Sequence, residues 1–264
     1  MKILIISLIS ILFIIPYYWM VVVSLEPDSR GTNPMFHLIP QNMTFEHYIF
    51  LFTKVKMVFR YLFNSLFISV ADVIITCLTA SMAGYVLAKK LIPFAEKTFM
   101  ILLVCMAIPA NILLLPRYIL MKDLNLINTY IAMFIVIGPS SVFLMKQVIQ
   151  TIPDSMIESA RIDGANEWQI FTGIILPLIK PALIALGIFT FIGTYNNYFW
   201  QLLMVSSPEM KTFPLVVSSF AGASDPQMQL TMASAVIASL PMISCFVIFH
   251  KNFIEGIRIG GVKE

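Results

Sequence analysis

Charged residues are scarce in this sequence. Asp, Glu, Lys and Arg make up 12% of its 264 residues, whereas hydrophobic residues make up 59%. Soluble domains carry about 25% charged and about 45–50% apolar residues. A soluble fold of this length would lack the charge to cover its surface, so lipid must be the solvent for much of the chain. The composition therefore predicts a membrane protein with several spans.

Cysteines and basic clusters are equally sparse. The three cysteines, Cys77, Cys105 and Cys245, lie far apart and each is inside an apolar run. This spacing excludes a disulfide framework and a metal-binding pattern. The net charge is +3, and the longest run of basic residues is Lys89–Lys90. Such a distribution gives no support to nucleic-acid binding.

Motifs for nucleotide or catalytic chemistry are absent as well. The chain has neither G-x-x-x-x-G-K-[ST] nor G-x-G-x-x-G, so it lacks both familiar means of holding nucleotide phosphates. Any use of ATP by this protein would therefore require a separate chain that binds the nucleotide. The histidines His37, His47 and His250 and the isolated Asp72 form no paired catalytic constellation, which argues against an intramembrane enzyme.

Long apolar runs dominate what is present. A spanning helix needs about 20 mostly apolar residues, because each adds about 1.5 Å across roughly 30 Å of hydrocarbon. Pro109 and Pro139 interrupt two of the runs, where neighbouring helices would satisfy the freed carbonyls. The first run is too long for a signal-peptide core, so we expect it to remain as a span. The predicted fold is all-α, one domain over residues 1–264 with six transmembrane helices at about 3–23, 61–88, 98–115, 130–145, 182–205 and 230–249.

The charge balance between loops predicts which side of the membrane they face. With six spans both termini lie on one side, and that side holds ten Lys and Arg, against seven in the longer opposite segments. Cytoplasmic loops carry an excess of Lys and Arg. We therefore expect both termini, the short loop 89–97 and the loop 146–181 to be cytosolic, and segment 24–60 to form an external loop ending in a short capped helix.

The polar loop at residues 146–181 is organised beyond the needs of a simple connection. Ser155 and Glu158 have the spacing of a capping box, so Glu158 either closes its own helix or also presents charge to a soluble partner. Asp163 and Gly164 should end that helix. Small residues at helical spacing, Ala160, Gly164 and Ala165, would let a partner approach the backbone. Trp168 and Phe171 then begin an apolar face leading into the fifth span, where interfacial anchoring is an alternative role.

The order of residues in this loop resembles the cytosolic coupling loop of ABC importer permeases. The matching pieces are Glu158-Ser159-Ala160, Asp163-Gly164-Ala165, Phe171, Leu176-Pro177-Leu178 and Pro181. Ser159 departs from the family's EAA pattern, in which the middle residue is Ala, but Ser is also small. Further similarity points to the smaller six-span permease subunit of maltose-type carbohydrate importers. It is carried by Ser24-Leu25, Asn64-Ser65, Ala83 to Ala88, Pro109, Pro116, Tyr195-Asn196 and the tail Gly256 to Lys263.

The resemblance implies a heteromeric importer in the bacterial cytoplasmic membrane. Its other components would be a second permease subunit, a dimer of cytosolic ABC ATPases and an external sugar-binding protein. This chain would bind no cofactor, whereas the ATPases would bind ATP and Mg²⁺. Residues Glu158, Ser159, Ala160, Asp163, Gly164 and Ala165 would form the helix that couples to the ATPase. The glycine-rich tail, with Gly256, Gly260 and Lys263, would reach the ATPase dimer.

Polar residues inside the spans are candidates for the transport path. Asp72 is the only charge deep in a predicted span, where insertion costs about 2.5–3.5 kcal/mol. It either lines a cavity, where it would bond sugar hydroxyls or form a gate, or makes an inter-subunit or inter-helix polar pair with hydroxyls such as Ser69 and Thr76. Thr194, Asn196 and Asn197 suit a neutral hydroxylated ligand, although helix packing also explains them. In the maltose type the main sugar site belongs largely to the other permease.

A secondary transporter or channel subunit is the alternative function. Six spans would suit such a protein. Ion-coupled carriers generally show ionisable relays or broken-helix repeats within the membrane, and the sequence offers a single Asp there. The substrate among carbohydrates is left open by the sequence.

Overall fold

The computed structural model describes residues 2–27, 39–40, 42–134, 138–222 and 227–261, and these form helices joined by turns, with no strand among them. The first half contains α1 Lys2–Ser24, α2 Glu46–Lys54, α3 Val58–Ala88, α4 Ala95–Met106, α5 Leu114–Asp123, α6 Tyr130–Phe134 and α7 Pro139–Gln150. The second half contains α8 Asp154–Ile162, α9 Glu167–Ile170, α10 Leu176–Tyr195, α11 Tyr198–Met204, α12 Phe213–Ala221 and α13 Met228–Gly261, with a π-helical turn at Phe171–Ile175 and a 3₁₀ turn at Pro208–Met210. The all-α prediction is confirmed.

Four helical stretches in the described part of the chain are long and apolar enough to cross a membrane. They are Ile6–Ser24, Val58–Ala88, Glu167–Tyr195 and Met228–Lys251. These stretches correspond to the predicted spans one, two, five and six. Their outward apolar side chains stay exposed, as with Phe13 at 77% and Phe63 at 61%, which is what a lipid-facing surface requires.

The predicted third and fourth spans are not single helices. α4 ends at Met106, Pro109 lies in the turn that follows, and α5 begins only at Leu114. α7 begins at Pro139, and residues 135–137 lie outside the described part. Proline has no N–H to donate and its ring clashes with the preceding turn, so a helix tends to stop before it and restart at it. The ranges 98–115 and 130–145 are corrected accordingly.

The fifth predicted span is displaced toward the N-terminus. A continuous helical stretch covers Glu167–Tyr195 rather than residues 182–205. It includes the π-helical turn, in which Leu176 N–H reaches back to Phe171 O, directly before Pro177. Asn196 caps its C-terminal end, and a separate helix, α11, follows. The apolar composition of 198–205 suggested a span, but the two asparagines favour a helix end over continuation.

One compact unit comprises Phe67–Met204 and Ser244–Glu264. Its core is built from aliphatic side chains of α3, α7, α8 and the stretch from α9 to α10, with Met145, Ile149, Ile157, Ile170 and Ile175 among the most buried. α3 and α7 approach closely at Gly84, where an added Cβ would lie 2.8 Å from Met145 Cβ. Such close backbone packing is the usual way in which membrane helices gain contact energy.

The other unit comprises Met1–Leu66 and Val205–Ile243. Leu51, Val58 and Phe213 are fully buried or nearly so at its core, packed with Leu230 and Ala233. Polar side chains of α3 tie the segment around the 3₁₀ turn to the helix, because the Asn64 amide donates to the backbone oxygens of Glu209 and Lys211 at 2.9 Å each. The short helix predicted before α3 is present as α2. Its N-cap residue, Phe45, makes no side-chain cap, but Thr44 Oγ1 accepts a hydrogen bond from Glu46 N–H at 3.2 Å.

Candidate functional site: the polar segment between α7 and α10

α8 begins without the predicted capping box. Its N-cap residue is Pro153, which makes no side-chain cap, and Ser155 lies inside the helix. The Ser155 carbonyl instead accepts a hydrogen bond from Ser159 Oγ at 2.9 Å. Asp154 in the first turn supplies negative charge at the helix N-terminus, where the helix dipole favours it. The capping explanation for Glu158 is therefore wrong, and its carboxylate is exposed.

The end of α8 is a Schellman motif centred on Gly164. Ala165 N–H donates to Ala160 O at 2.9 Å and Gly164 N–H donates to Arg161 O at 3.1 Å. Gly164 has φ +85°, a conformation that favours glycine because it has no Cβ. The prediction that Asp163 and Gly164 end the helix is confirmed. Ala160 and Ala165 are half-buried against the core, so the small-residue pattern has a local reason.

α9 begins with a complete capping box that the sequence analysis missed. Gln169 N–H donates to Asn166 Oδ1 at 2.9 Å, and Asn166 N–H donates to Gln169 Oε1 at 2.8 Å. These reciprocal bonds satisfy two orphan donors at the start of the long helix that follows. The N-x-x-Q spacing was the available signal.

Two groups of polar contacts, the first and second clamps, fix α8 to the C-terminal end of α3. That end of α3 is predicted to face the cytosol. The Lys89 ammonium donates to Ile152 O at 2.6 Å and to Asp154 Oδ1 at 2.7 Å. The Lys89 side chain is 6% exposed and that of Asp154 is 76% exposed. Hydrogen bonding to Lys89, followed by its charge, lowers the pKa of Asp154 below its usual value. The first clamp thus joins a buried cation to an exposed carboxylate.

The second clamp is centred on Glu167. Tyr85 Oη donates to Glu167 Oε2 at 2.5 Å, and Arg161 Nε donates to Glu167 Oε1 at 2.8 Å. This hydrogen bond raises the pKa of Arg161, so the guanidinium stays charged. α3, α8 and α9 meet at one carboxylate. Sequence analysis missed Tyr85, Arg161 and Glu167 because they are far apart or lack a motif.

The outward side of α8 carries acidic, hydroxyl and apolar groups together. Glu158, Ser159 and Asp163 are exposed, and Ile162 is 86% exposed. A groove of about 220 Å³ beside the helix is lined by Glu158 together with Lys89, Lys90, Asp154, Ile157, Arg161 and Ala88. The side of α8 that faces away from the core thus combines charged and hydroxyl groups with an exposed aliphatic side chain.

Asp72 and Thr194 are brought together by the fold. The Asp72 side chain is buried, and its carboxylate accepts hydrogen bonds from Thr76 Oγ1 at 3.1 Å and from Thr194 Oγ1. Thr194 O also accepts from Gln201 Nε2 at 3.0 Å. The structure thus places Asp72 in an inter-helix polar cluster that includes the expected Thr76.

Asn196 and Asn197 follow directly, in the break between α10 and α11. Asn196 is the C-cap residue of α10, and Asn197 Oδ1 accepts from Trp200 N–H at 3.3 Å. Asn197 also lines a cavity with Arg117 and Trp200. Of the four predicted path residues, Asp72 and Thr194 therefore meet through their side chains, whereas Asn196 and Asn197 lie in the adjoining helix break, where Asn197 N–H donates to Thr194 O at 3.2 Å.

The predicted tail contact falls partly outside the described residues. Gly256 and Gly260 lie in α13, which continues to Gly261, whereas Lys263 is beyond the described part. Both glycines therefore lie on a helix.

The described part of the chain consists of helices and turns and includes four long apolar helices, which defines an integral membrane protein. The sequence matches the family described as "Binding-protein-dependent transport system inner membrane component" over residues 75–259. The chain belongs to this family, so the resemblance is confirmed, and it is an inner-membrane transport component rather than an enzyme.

Relatives cover nearly the whole chain. The arabinooligosaccharides transport system permease protein AraQ of Bacillus subtilis is 33% identical over 97% of this chain and 92% of the relative. The lactose transport system permease protein LacG of Rhizobium radiobacter is 30% identical over 98% of this chain and 94% of the relative.

Solved structures share the fold. One chain of a bacterial ABC transporter involved in the import of the acidic polysaccharide alginate superposes with a TM-score of 0.84 at 21% identity, covering 96% of this chain and 95% of that one. A chain of the alginate transporter in complex with its alginate pentasaccharide-bound periplasmic protein gives 0.62 at 16% identity, covering 100% and 96%.

Proposed function

We propose that this chain is the permease subunit of a heteromeric ABC importer that moves a carbohydrate across the cytoplasmic membrane. The observation that carries the proposal is α8, a short helix with an exposed acidic and apolar side that is clamped to α3 and α9. In a member of this transport family, such a helix suits a docking element for a partner that supplies ATP energy. The relatives that transport arabinooligosaccharides and lactose support carbohydrate as the substrate class.

The proposed topology is a single transmembrane domain with six spans and both termini in the cytosol. The four long apolar helices supply spans one, two, five and six. The third and fourth spans would each be formed by a pair of shorter helices, α4 with α5 and α6 with α7, with a break near a proline. Broken helices are tolerated at membrane depth where protein or a water-filled cavity covers them.

The clamps suggest how coupling would operate. Lys89, directly after α3, holds the start of α8 at Asp154, and Tyr85 of α3 holds its end through Glu167, which bonds Arg161. Displacement of α8 by an ATPase would therefore move α3 with it. The stretch from α9 through α10 is helical without interruption from Glu167 to Tyr195, which provides a second rigid connection into the membrane. Rigid-body transmission of this kind is a standard route to alternating access.

The proposed partners are a second permease subunit, a dimer of ATPases that binds ATP and Mg²⁺, and an external sugar-binding protein. Glu158, Ser159 and Asp163 would contact the ATPase directly, while Ala160, Gly164 and Ala165 shape the helix end. The C-terminal helix with Gly256 and Gly260, and Lys263 beyond it, would add a second ATPase contact. Asp72 and Thr194 would border the translocation path, together with Asn196 and Asn197 in the adjoining helix break.

Reconstitution tests this function. The chain, its second permease, the ATPase and the binding protein would be placed together in liposomes, and uptake of labelled saccharides would be measured with and without internal ATP. We expect uptake only with ATP and binding protein present. Uptake that persists after ATP is removed would contradict the proposal and favour a secondary transporter.

A further inference from the structure

A cavity of about 420 Å³ lies between two interruptions of the helical structure, the turn from α4 to α5 and the break from α10 to α11. Asn111 lines it from the turn between α4 and α5, Arg117 from α5, Asn197 from the break before α11, and Phe199 and Trp200 from α11. All belong to the same compact unit. The volume falls within the range of about 300–1,000 Å³ that small-molecule pockets occupy.

The aromatic wall of this cavity is fixed in place. Trp200 is 3% exposed, its indole N–H donates to Ala132 O at 2.8 Å, and its backbone N–H donates to Asn197. The Arg117 guanidinium stacks over the Trp200 ring at 4.4 Å from the ring centroid. A cation–π contact of this kind holds a long, flexible side chain in one position. The guanidinium is therefore presented to the cavity before any ligand arrives, which lowers the entropic cost of binding.

The polar groups around the cavity are mainly donors. Arg117 makes no ion pair with any residue of the described ranges, and a guanidinium has five N–H donors and no acceptor. Because Asn197 Oδ1 is occupied by the N–H of Trp200, its two amide N–H donors are left for the cavity. The ring of Phe199, 70% exposed, adds an open apolar face. Donors converging beside an exposed aromatic ring fit a ligand that has many acceptor oxygens and an apolar ring face.

We propose that Arg117, Asn197 and Phe199 form a saccharide-binding subsite contributed by this chain, with Arg117 as its specificity-determining residue. The guanidinium would grip two neighbouring oxygens of one sugar ring through parallel N–H donors, and Phe199 would pack against the ring's C–H face. The paired oxygens are vicinal hydroxyls in a neutral sugar or a carboxylate in a uronic acid. This subsite rests on the proposed carbohydrate transport and adds a contact from this subunit.

A thiol-protection assay on the complete complex measures saccharide binding at the subsite without relying on transport. Asn111→Cys would be introduced after Cys77, Cys105 and Cys245 are replaced by Ser, and labelling by a small thiol reagent would be timed with and without saccharide. The neutral probes are lactose, arabinobiose and maltotriose, and the acidic probe is a guluronic acid trimer. We expect at least one probe to slow labelling in a saturable way.

Variants then assign the contacts. The half-protecting concentration is the saccharide concentration that halves the labelling rate. In the Asn111→Cys background, Arg117→Gln should raise it about 10-fold or more, as expected for loss of a charge-assisted pair. Arg117→Lys should not restore it, because a lysine lacks the planar fork. Phe199→Ala, which removes an exposed ring, should raise it about 2- to 10-fold. Lys122→Gln, an exposed cation on the same helix, is the matched control and should change nothing.

The outcomes separate the two proposals. If the complex takes up saccharide with ATP but no probe protects Asn111→Cys, or if Arg117→Gln leaves protection unchanged, the subsite is wrong and the importer function stands. Lower thermal stability of Arg117→Gln with unchanged half-protection would show that Arg117 only supports Trp200, and would overturn the subsite. Absence of ATP-driven saccharide uptake by the wild-type complex would overturn both. Protection by the acidic probe alone, lost in Arg117→Gln, would identify the carboxylate as the recognised group.

Discussion

Glu158 lies on the exposed side of α8 and makes no hydrogen bond or ion pair with other residues in the described ranges. Gly164, just past the end of α8, is exposed as well, but its role is in the backbone, since it closes the helix at φ +85°. Neighbouring residues of one motif thus act differently. Glu158 is available to a partner, whereas Gly164 determines where the helix ends.

Glu158→Ala separates docking from folding. We expect less ATPase to co-purify with the complex, because an exposed charge facing a partner is lost. The thermal stability of the complex without ATPase should change little, since surface substitutions usually stay within about 0.5 kcal/mol. Ser155→Ala is the control, because Ser155 does not cap α8. Unchanged ATPase retention in Glu158→Ala would show that this carboxylate has no docking role.

Substitution of Gly164 tests the backbone requirement. An added Cβ meets no atom within 4 Å, so any effect must come from the positive φ, which costs a side-chain-bearing residue about 1–2 kcal/mol. We expect Gly164→Val to insert into the membrane normally but to lose coupling between ATP hydrolysis and uptake. Gly164→Asn should retain more coupling, because Asn tolerates this conformation better.

Gly193→Ala provides the matched control for that pair. Gly193 lies in α10 at ordinary helical φ, also with open space at its Cβ position. Coupling should be unchanged there. Equal coupling in Gly164→Val and the wild type would contradict the assigned role of the helix end.

At the level of elements, α8 is held by contacts from outside its own sequence. Its start is fixed through Lys89 and its end through Arg161 and Glu167. Ile157 is 2% exposed and anchors the middle of the helix in the core. Because these contacts attach α8 to α3 and to the helical stretch that begins at α9, movement of α8 must be shared by both.

Lys89→Gln tests the first clamp. The change removes the charge that pairs with Asp154 and weakens the bond to Ile152 O, so we expect ATP hydrolysis to continue with a lower ratio of saccharide imported per ATP. Lys90→Gln is the control, since Lys90 pairs with Glu96 in the exposed loop rather than with α8. A ratio equal to that of the wild type would show that this clamp is not required for coupling.

The same clamp has a defined pH dependence. The pKa of Asp154 is lowered from its ordinary value near 3.8, so its contribution to stability is fully present above that value and is lost as pH falls through the lower folded pKa. We expect the difference in coupling between the wild type and Asp154→Asn to be constant between about pH 5 and pH 8. A difference that disappears within that range would contradict the assigned ionisation.

For the whole molecule, the decisive question is how the chain crosses the membrane. In a cysteine-free background, Ser159→Cys, on exposed α8, should react with a membrane-impermeant thiol reagent only in inverted vesicles. Asn42→Cys, exposed in the predicted external segment, should react in intact cells. Labelling of both from the same side would contradict the six-span topology, because an odd number of spans separates these positions in it.

Several features were predictable because their causes are local. Apolar runs such as Ile6–Ser24 form helices whatever surrounds them, and Asp163-Gly164 ends α8 through backbone conformation alone. The predicted bounds of the spans were wrong where apolar composition continued past residues that end a helix. Pro109 and Pro139 divide the third and fourth spans, and Asn196 ends the fifth earlier than its apolar continuation suggested.

The sequence by itself determined the membrane environment, the helical class and the position of the polar segment, because these depend on composition and on residues close together in the chain. The tertiary structure decided which distant residues meet. Lys89 reaches Asp154, Asp72 meets Thr194, and Arg117 stacks on Trp200. Such pairs form only after helices pack in a particular register, and a single sequence contains no direct signal of that register.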